Sequence, residues 1–450
     1  KGMVMKHVFS YFCIGLLLSG SVMALTLEEA MQEVAVTHPE IQERIRDFRA
    51  IAQDKNIAFA GYLPTLDFVA AAGSERSNNN TTGFKDRTLT RTEMAFILNW
   101  NLFRGNADKQ NISRQEARLS AASHRVLEAI NYKTLETAQT YLELLKQNEL
   151  LELAKENVQI HDRLYRQIEQ RIITGIAAQS ELKQASSRLA LAQSNLIVTQ
   201  NNFDDAMSNF EKVYGKRVDV GMLSVPSTNG GIPDNFELLL KEGQLKNPSL
   251  NAQRANIKVA TQNYKMSNAS YLPTLDLELR QEWNENLNGL EAEDDATSIM
   301  LRFTYNLYNG GADKALCQKR ISELAKEKDV FATMERQNKE RLSLAWNAHK
   351  MIEKQIGFLE KHRHLSKKTL DLYTEEFSLG RRTLLDILNT ESEYYGAKRE
   401  LANAKYDQLF AKYRIKELTG ALLQAVGQPG MEMVGMSDSG VSRVDELDTL

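Results

Sequence analysis

A chain that says the same thing twice must fold as two versions of one unit, and this chain does so about 209 residues apart. Thr37-His-Pro-Glu-Ile41 returns as Lys246-Asn-Pro-Ser-Leu250, and Tyr62-Leu-Pro-Thr-Leu-Asp67 returns as Tyr271-Leu-Pro-Thr-Leu-Asp276. Trp100-Asn-Leu-Phe-Arg-Gly-Asn-Ala-Asp108 returns as Tyr305-Asn-Leu-Tyr-Asn-Gly-Gly-Ala-Asp313. Two long copies signal duplication rather than a solenoid. Each copy prescribes the same events: a helix that stops at Tyr-Leu-Pro, two alternating strands, and a very long proline-free helical run.

The strands have two unlike faces. In Thr274–Trp283 the residues Leu275, Leu277, Leu279 and Trp283 point one way, and Asp276, Glu278, Arg280 and Glu282 the other. Ser298–Tyr308 repeats this with Ile299, Leu301, Phe303, Tyr305 and Leu307. Residues 284–297, polar and acidic, read as the exposed loop between them. The first copy is less regular, over about 63–73 and 88–103, with Met94, Phe96, Leu98, Trp100 and Leu102 on the apolar side and a loop at 74–87. Such period-two segments of about ten residues suit transmembrane barrel strands. They equally suit an amphipathic sheet packed on helices. Four strands cannot close around water, since the smallest barrels need about eight, so a barrel requires strands from several chains.

The helical runs are too long for a globule. Residues 108–173 contain no proline, and a break at Thr174-Gly175-Ile176 separates them from 181–214. The second copy has 313–378, a break at Leu379-Gly380-Arg381, and 386–418. Apolar positions such as Leu142, Leu145, Leu151, Ala154 and Val158 keep the 3–4 spacing of helix-on-helix packing. Two hairpins of this length suit a tube or stalk. Gly175 and Gly380 fit helix ends and reversals.

Bulk properties limit the rest. Lys6, the apolar stretch from Val8 to Leu18 and Val22-Met-Ala24 read as a secretory signal over residues 1–24. Without Lys1 and Lys6 the formal charge goes from −3 to −5, with no basic excess for nucleic acid. Only Cys317 remains, so no intrachain disulfide forms. No later segment reaches the roughly 18 apolar residues of a membrane helix. Enzyme readings lack support: His362 and His364 diverge on a helix, no phosphate loop or nucleophile elbow is present, and no cofactor or metal is expected.

Together these residues resemble the TolC family of outer-membrane export channels over nearly the whole length beyond the signal. The most specific stretch is Phe377-Ser-Leu-Gly-Arg-Arg-Thr-Leu-Leu-Asp-Ile-Leu-Asn389 with the Tyr395–Tyr406 helix behind it. The resemblance implies a mixed α and β membrane protein: a homotrimer whose chains each give four strands to one 12-stranded barrel, above a periplasmic α-helical barrel. It further implies an outer-membrane location with lipid against Leu275, Leu277, Leu279, Ile299, Leu301 and Phe303. A periplasmic adaptor would dock at the tips Gly175, Ile176, Gly380 and Arg381, coupling the duct to an inner-membrane ABC or proton-driven transporter.

The resemblance also implies a gate. Arg382 falls on the family's linking arginine, Ser180 and Glu181 on its hydroxyl and acidic partners, and Asp386 on the first aspartate of a constriction ring. Phe377 stands where the family has a tyrosine, and Asn389 where it has the second aspartate. An Arg382–Glu181 pair bridging two hairpins would hold a closed state; the plainer reading is a solvated Arg382–Asp386 pair on one helix face.

The expected organisation is a signal (1–24), a first repeat (25–217), an equatorial linker (218–247), a second repeat (248–420), and a tail (421–450), Gly-, Ser-, Met- and acid-rich, expected to be largely disordered. The expected function is a passive export duct for protein secretion or drug efflux, leaning to type I secretion. The competing reading is a periplasmic coiled-coil scaffold or adaptor without a pore.

Overall fold

The computed structural model describes residues 25–175, 177–226 and 232–425. The predicted signal segment, the tail beyond 425 and the tip residue Ile176 lie outside the described residues. The first unit comprises α1 (Leu27–Thr37), α2 (Pro39–Ala60), β1 (Thr65–Ser77), β2 (Arg87–Arg104), α3 (Ala107–Ile173) and α4 (Gln179–Tyr214). After α5 (Phe236–Lys246) the second runs α6 (Pro248–Ser267), β3 (Thr274–Glu285), β4 (Glu293–Thr304), α7 (Ala312–Ser378) and α8 (Leu384–Thr419). A short α9 (Ala421–Ala425) follows.

The duplicated motifs act as start and stop signals. His38 Nδ1 accepts the Glu40 N–H at 3.2 Å, and Asn247 Oδ1 accepts those of Ser249 and Leu250 at 3.0 and 3.3 Å. Each cap precedes a proline at the first helical position, where the missing N–H has no partner to lose. At the other end of α2 and α6, Pro64 and Pro273 disfavour helical backbone at the residue before them; Leu272 is extended, and in both copies the chain leaves as a strand.

The strands form one antiparallel sheet in chain order. Its register lines up Leu66, Leu98, Leu279 and Ile299 in one row, and Trp100, Leu277 and Leu301 in another. The reverse face carries rows such as Thr65, Asn99, Glu278 and Met300. Two expectations fail here. Residues 284–297 are not all loop: β4 begins at Glu293 and pairs with Glu285, so the loop is 286–292. Nor is 74–87 all loop, since β1 runs to Ser77 and β2 starts at Arg87. Backbone hydrogen bonds extend a ladder past its apolar side chains as long as the polar ones stay wet. At its other end β4 stops at Thr304, short of the predicted Tyr308.

The 67 residues of α3 and of α7 each span about 100 Å at about 1.5 Å per residue. The main core lies mid-length, where Leu27, Met31, Ile41, Val126 and Phe210 surround Tyr141. The Tyr141 hydroxyl lies 2.8 Å from the Leu25 carbonyl and 2.7 Å from that of Ser224. A satellite core joins Leu240, Leu342 and Leu418. The tail does not begin disordered: α9 is helical and Leu422 sits in the main core. Among the described residues no helix is long and apolar enough to cross a membrane.

Candidate functional site: hairpin tips and two-faced sheet

At the far end of the hairpins a third core of Ile168, Ala185, Leu384 and Leu388 fastens the two tips together. Each tip reverses through a glycine with positive φ, 75° at Gly175 and 73° at Gly380. The Gly175 N–H donates to the Ile172 carbonyl at 2.9 Å, and that of Gly380 to Phe377 at 3.0 Å. Arg381, exposed, closes the second turn by donating its N–H to the Glu376 carbonyl at 2.8 Å.

The candidate gate residues divide into two groups. Phe377 and Asn389 are bound by arginines of the first hairpin. The guanidinium of Arg171 lies over the Phe377 ring, 4.4 Å from its centre, and Arg188 Nη2 donates to Asn389 Oδ1 at 3.3 Å. Arg382 and Asp386 are engaged by their own hairpin. Arg382 Nε donates to Glu376 Oε2 at 2.6 Å and its guanidinium stacks 4.1 Å from the Tyr373 ring centre. The Glu376 carboxylate accordingly raises the Arg382 pKa.

Asp386 belongs to a capping box. Its Oδ2 accepts from the Thr383 hydroxyl at 2.8 Å and the Thr383 N–H at 3.1 Å, while its own N–H donates to Thr383 Oγ1 at 3.3 Å. These bonds, the hydroxyl first, hold its carboxyl below the usual aspartate value, with Arg382 adding a smaller electrostatic push. Ser180 and Glu181 stand on the first turn of α4, and among the described residues their side chains meet neither Arg382 nor any other polar partner. The structure thus does not bring Arg382 to Glu181 inside one chain, because Arg382 folds back onto the last turns of α7.

Sequence reasoning missed Arg171, Arg188, Tyr373, Glu376 and Thr383. The cap was legible, since Thr383-x-x-Asp386 is a helix-start pattern. The arginine contacts were not, because their partners lie about 200 residues away.

The sheet keeps its two faces. No helix covers the apolar one: Ile299 is 68% exposed, Phe303 66% and Leu66 67%. Leu301 is exposed beside them on β4, whereas Leu275, Leu277 and Leu279 on β3 are half-buried between flanking strands. The other face is a polar lattice. Asn101 Nδ2 donates to Asp276 Oδ1 at 2.6 Å, Arg302 lies 3.6 Å from Glu278, and Arg280 pairs with Glu282. A wet bore lined by both signs of charge suits such a face better than acid–base chemistry does. Among the described residues no three His, Cys, Asp or Glu side chains are grouped to hold a metal.

The comparisons with known proteins agree with this geometry. The family model "outer membrane efflux protein" matches residues 30–216 and 239–421. The chain is 22% identical to outer membrane protein TolC of Escherichia coli over 438 residues, covering 91% of this chain and 85% of that protein. It is 24% identical to proteases secretion protein PrtF of Dickeya chrysanthemi, covering 90% of each. The crystal structure of the Campylobacter jejuni CmeC outer membrane channel shares the fold at a TM-score of 0.79 and 15% identity, over 91% of this chain and 89% of that one. A bare apolar sheet face, long helical hairpins and a family match to both halves lead to one conclusion: this chain belongs to the outer membrane efflux protein family and is an outer-membrane export duct extending into the periplasm.

Proposed function

We propose that three copies share one 12-stranded barrel and one helical tunnel, and that the tunnel conducts cargo passively. The carrying observation is the uncovered apolar sheet face, whose four strands cannot enclose water alone. A second observation favours assembly. On α7 the residues Leu344, Met351, Phe358, Leu365 and Leu372 recur every seventh position, with Leu379 next in line at the C-cap, and all are at least half exposed. A strict seven-residue apolar line is what a neighbouring helix packs against. A pore-less periplasmic scaffold has no use for the bare sheet face.

In this reading the repeats 25–217 and 248–420, with 218–247 between them, make two pieces of one wall. The tips at Gly175, Ile176, Gly380 and Arg381 receive a periplasmic adaptor, and an inner-membrane transporter supplies the energy. Phe377, Arg382, Asp386 and Asn389, with Ser180 and Glu181 of a neighbouring hairpin, form the gate. Three Asp386 carboxylates around one axis attract cations. The similarity to proteases secretion protein PrtF and to alkaline protease secretion protein AprF of Pseudomonas aeruginosa supports protein as cargo. The chain itself catalyses nothing in this scheme. Native mass measurement of detergent-extracted protein and conductance in planar bilayers test it: a trimer with discrete channels is expected, and a freely soluble monomer without conductance would end the proposal.

A further inference from the structure

We infer that His38 is a proton-operated cap: a proton taken up at Nδ1 releases the first turn of α2, so that acid loosens the α1–α2 joint of the first repeat and spares the matching α5–α6 joint of the second. The device belongs to the single chain and does not depend on how copies assemble.

The duplication builds the same joint twice, once with a titrating cap and once without. At an offset of 209, His38-Pro39 matches Asn247-Pro248 and Gln42 matches Asn251. His38 and Asn247 each close the preceding helix, donating their N–H to the Val34 and Gly243 carbonyls at 3.0 and 3.1 Å. Gln42 Nε2 and Asn251 Nδ2 each reach back to that helix, to the Val36 carbonyl at 2.6 Å and the Leu245 carbonyl at 3.1 Å. What differs is the atom that caps the next helix. Asn247 Oδ1 is an amide oxygen and keeps its lone pairs at any pH near neutrality. His38 Nδ1 is a ring nitrogen, 3.2 Å from the Glu40 backbone nitrogen. A backbone N–H can only donate, so Nδ1 is bare here and the ring proton sits on Nε2. In the imidazolium both ring nitrogens carry protons. The bond is then lost, and the Glu40 N–H is left without its acceptor.

The surroundings sharpen the contrast. Burial first, and Lys133 of α3 second, hold half-buried His38 below the usual histidine value; Glu40 of α2 and Glu136 of α3 oppose the shift. Both carboxylates are already engaged, since Lys133 Nζ stands 2.9 Å from each. A protonated His38 would therefore add a second cation beside Lys133. With its folded pKa lowered from 6.5, the cap's contribution is present above that value and lost as pH falls through the folded one. In the second repeat the twin of Lys133, at the 205 offset of Gly175 and Gly380, is Asn338. Its Oδ1 accepts from Asn247 Nδ2 at 3.4 Å, so neutral amides stand at both positions. Ile41 and Ile45 of α2 lie in the main core with Val34 of α1, so acid loosens the first repeat at its core edge while the second stays as it is.

Hydrogen exchange on the detergent-extracted full chain tests this, with rates at pH 8 and pH 4.5 corrected for intrinsic exchange. Glu40 stays mostly ionised at the lower pH, because its bond to Lys133 holds it below its usual 4.5. In the wild type, residues 40–45 should lose protection about fivefold on acidification, the equivalent of a typical cap. The matching residues 249–254 serve as the control within the same molecule and should keep theirs. His38→Asn gives the first joint the cap of the second and should hold residues 40–45 level between the two pH values. His38→Ala should leave them loosened at both. Equal protection of 40–45 at both pH values in the wild type overturns the proposal. So does a matching loss in 249–254, or an acid loss that persists undiminished in His38→Asn. The wild-type comparison of the two joints decides the matter even where a variant fails to fold.

Discussion

The Arg171 guanidinium carbon lies 4.4 Å from the centre of the Phe377 ring, on the facing hairpin tip. Arg171 Nη2 also points at the Phe377 carbonyl, 3.5 Å away. Phe377 therefore holds two hairpins together through its ring face and its carbonyl. A cation over an exposed ring contributes about 0.5–1 kcal/mol. A double-mutant cycle of Arg171→Gln and Phe377→Leu should return coupling of that order in tip stability, read by hydrogen exchange near Ile168 and Leu384. Additive losses would show the stacking to be inert.

Arg382, in the turn between α7 and α8, is held by Glu376 and Tyr373 of α7. If that contact holds the tip in its closed form, Arg382→Ser and Glu376→Gln should both raise single-channel conductance in planar bilayers. The pair is solvent-exposed, so the wild-type channel should also approach the variants as ionic strength rises. Conductance unchanged in both variants would remove Arg382 from the gate.

The Asp386 carboxyl is depressed by its bonds to Thr383. A depressed folded pKa contributes stability that is present above the unfolded value of 3.8 and lost as pH falls through the folded one. The first turn of α8 should therefore exchange its amides faster, once intrinsic rates are corrected, as pH falls below that value. Thr383→Ala should loosen the same turn at neutral pH by about 1 kcal/mol. Equal protection in Thr383→Ala and wild type would show that the capping box contributes nothing.

Glu391, on α8, is 3% exposed, and burial pushes its carboxyl up; Lys398 opposes the shift and Glu156 adds to it. With a folded pKa above the unfolded 4.5, its contribution is full below that value and lost as pH rises through the folded one. Glu391→Gln should raise the Tm of purified protein at pH 8 and leave it nearly unchanged at pH 4. A gain at pH 4 as large as that at pH 8 would refute this account.

Gly380 turns at φ 73°, and a Cβ there would meet nothing within 4 Å. Its substitution is thus limited by backbone strain alone. Gly380→Ala should cost about 1–2 kcal/mol locally. Gly380→Asn should cost less, since asparagine visits this conformation more readily. A ranking with asparagine worse than alanine in tip exchange rates would point to a steric cause.

What the sequence determined by itself was everything set within a few residues: strand faces from alternation, helix starts from the His38-Pro and Asn247-Pro caps, stops from Tyr-Leu-Pro, reversals at Gly175 and Gly380. These signals act over one or two turns or pleats, so they survive any tertiary context. The twofold plan was legible for the same reason, as a local pattern met twice. Only the tertiary structure decided that β4 starts at Glu293, that Leu422 is buried, that Arg382 turns to Glu376, and that Arg171 and Arg188 hold Phe377 and Asn389. The buried tail helix and the arginine contacts to Phe377 and Asn389 depend on segments about 200 or more residues apart being packed together. The β4 start and the Arg382–Glu376 pair join near neighbours, and were decided by which of several nearby polar groups wins once the ladder and the turn have formed.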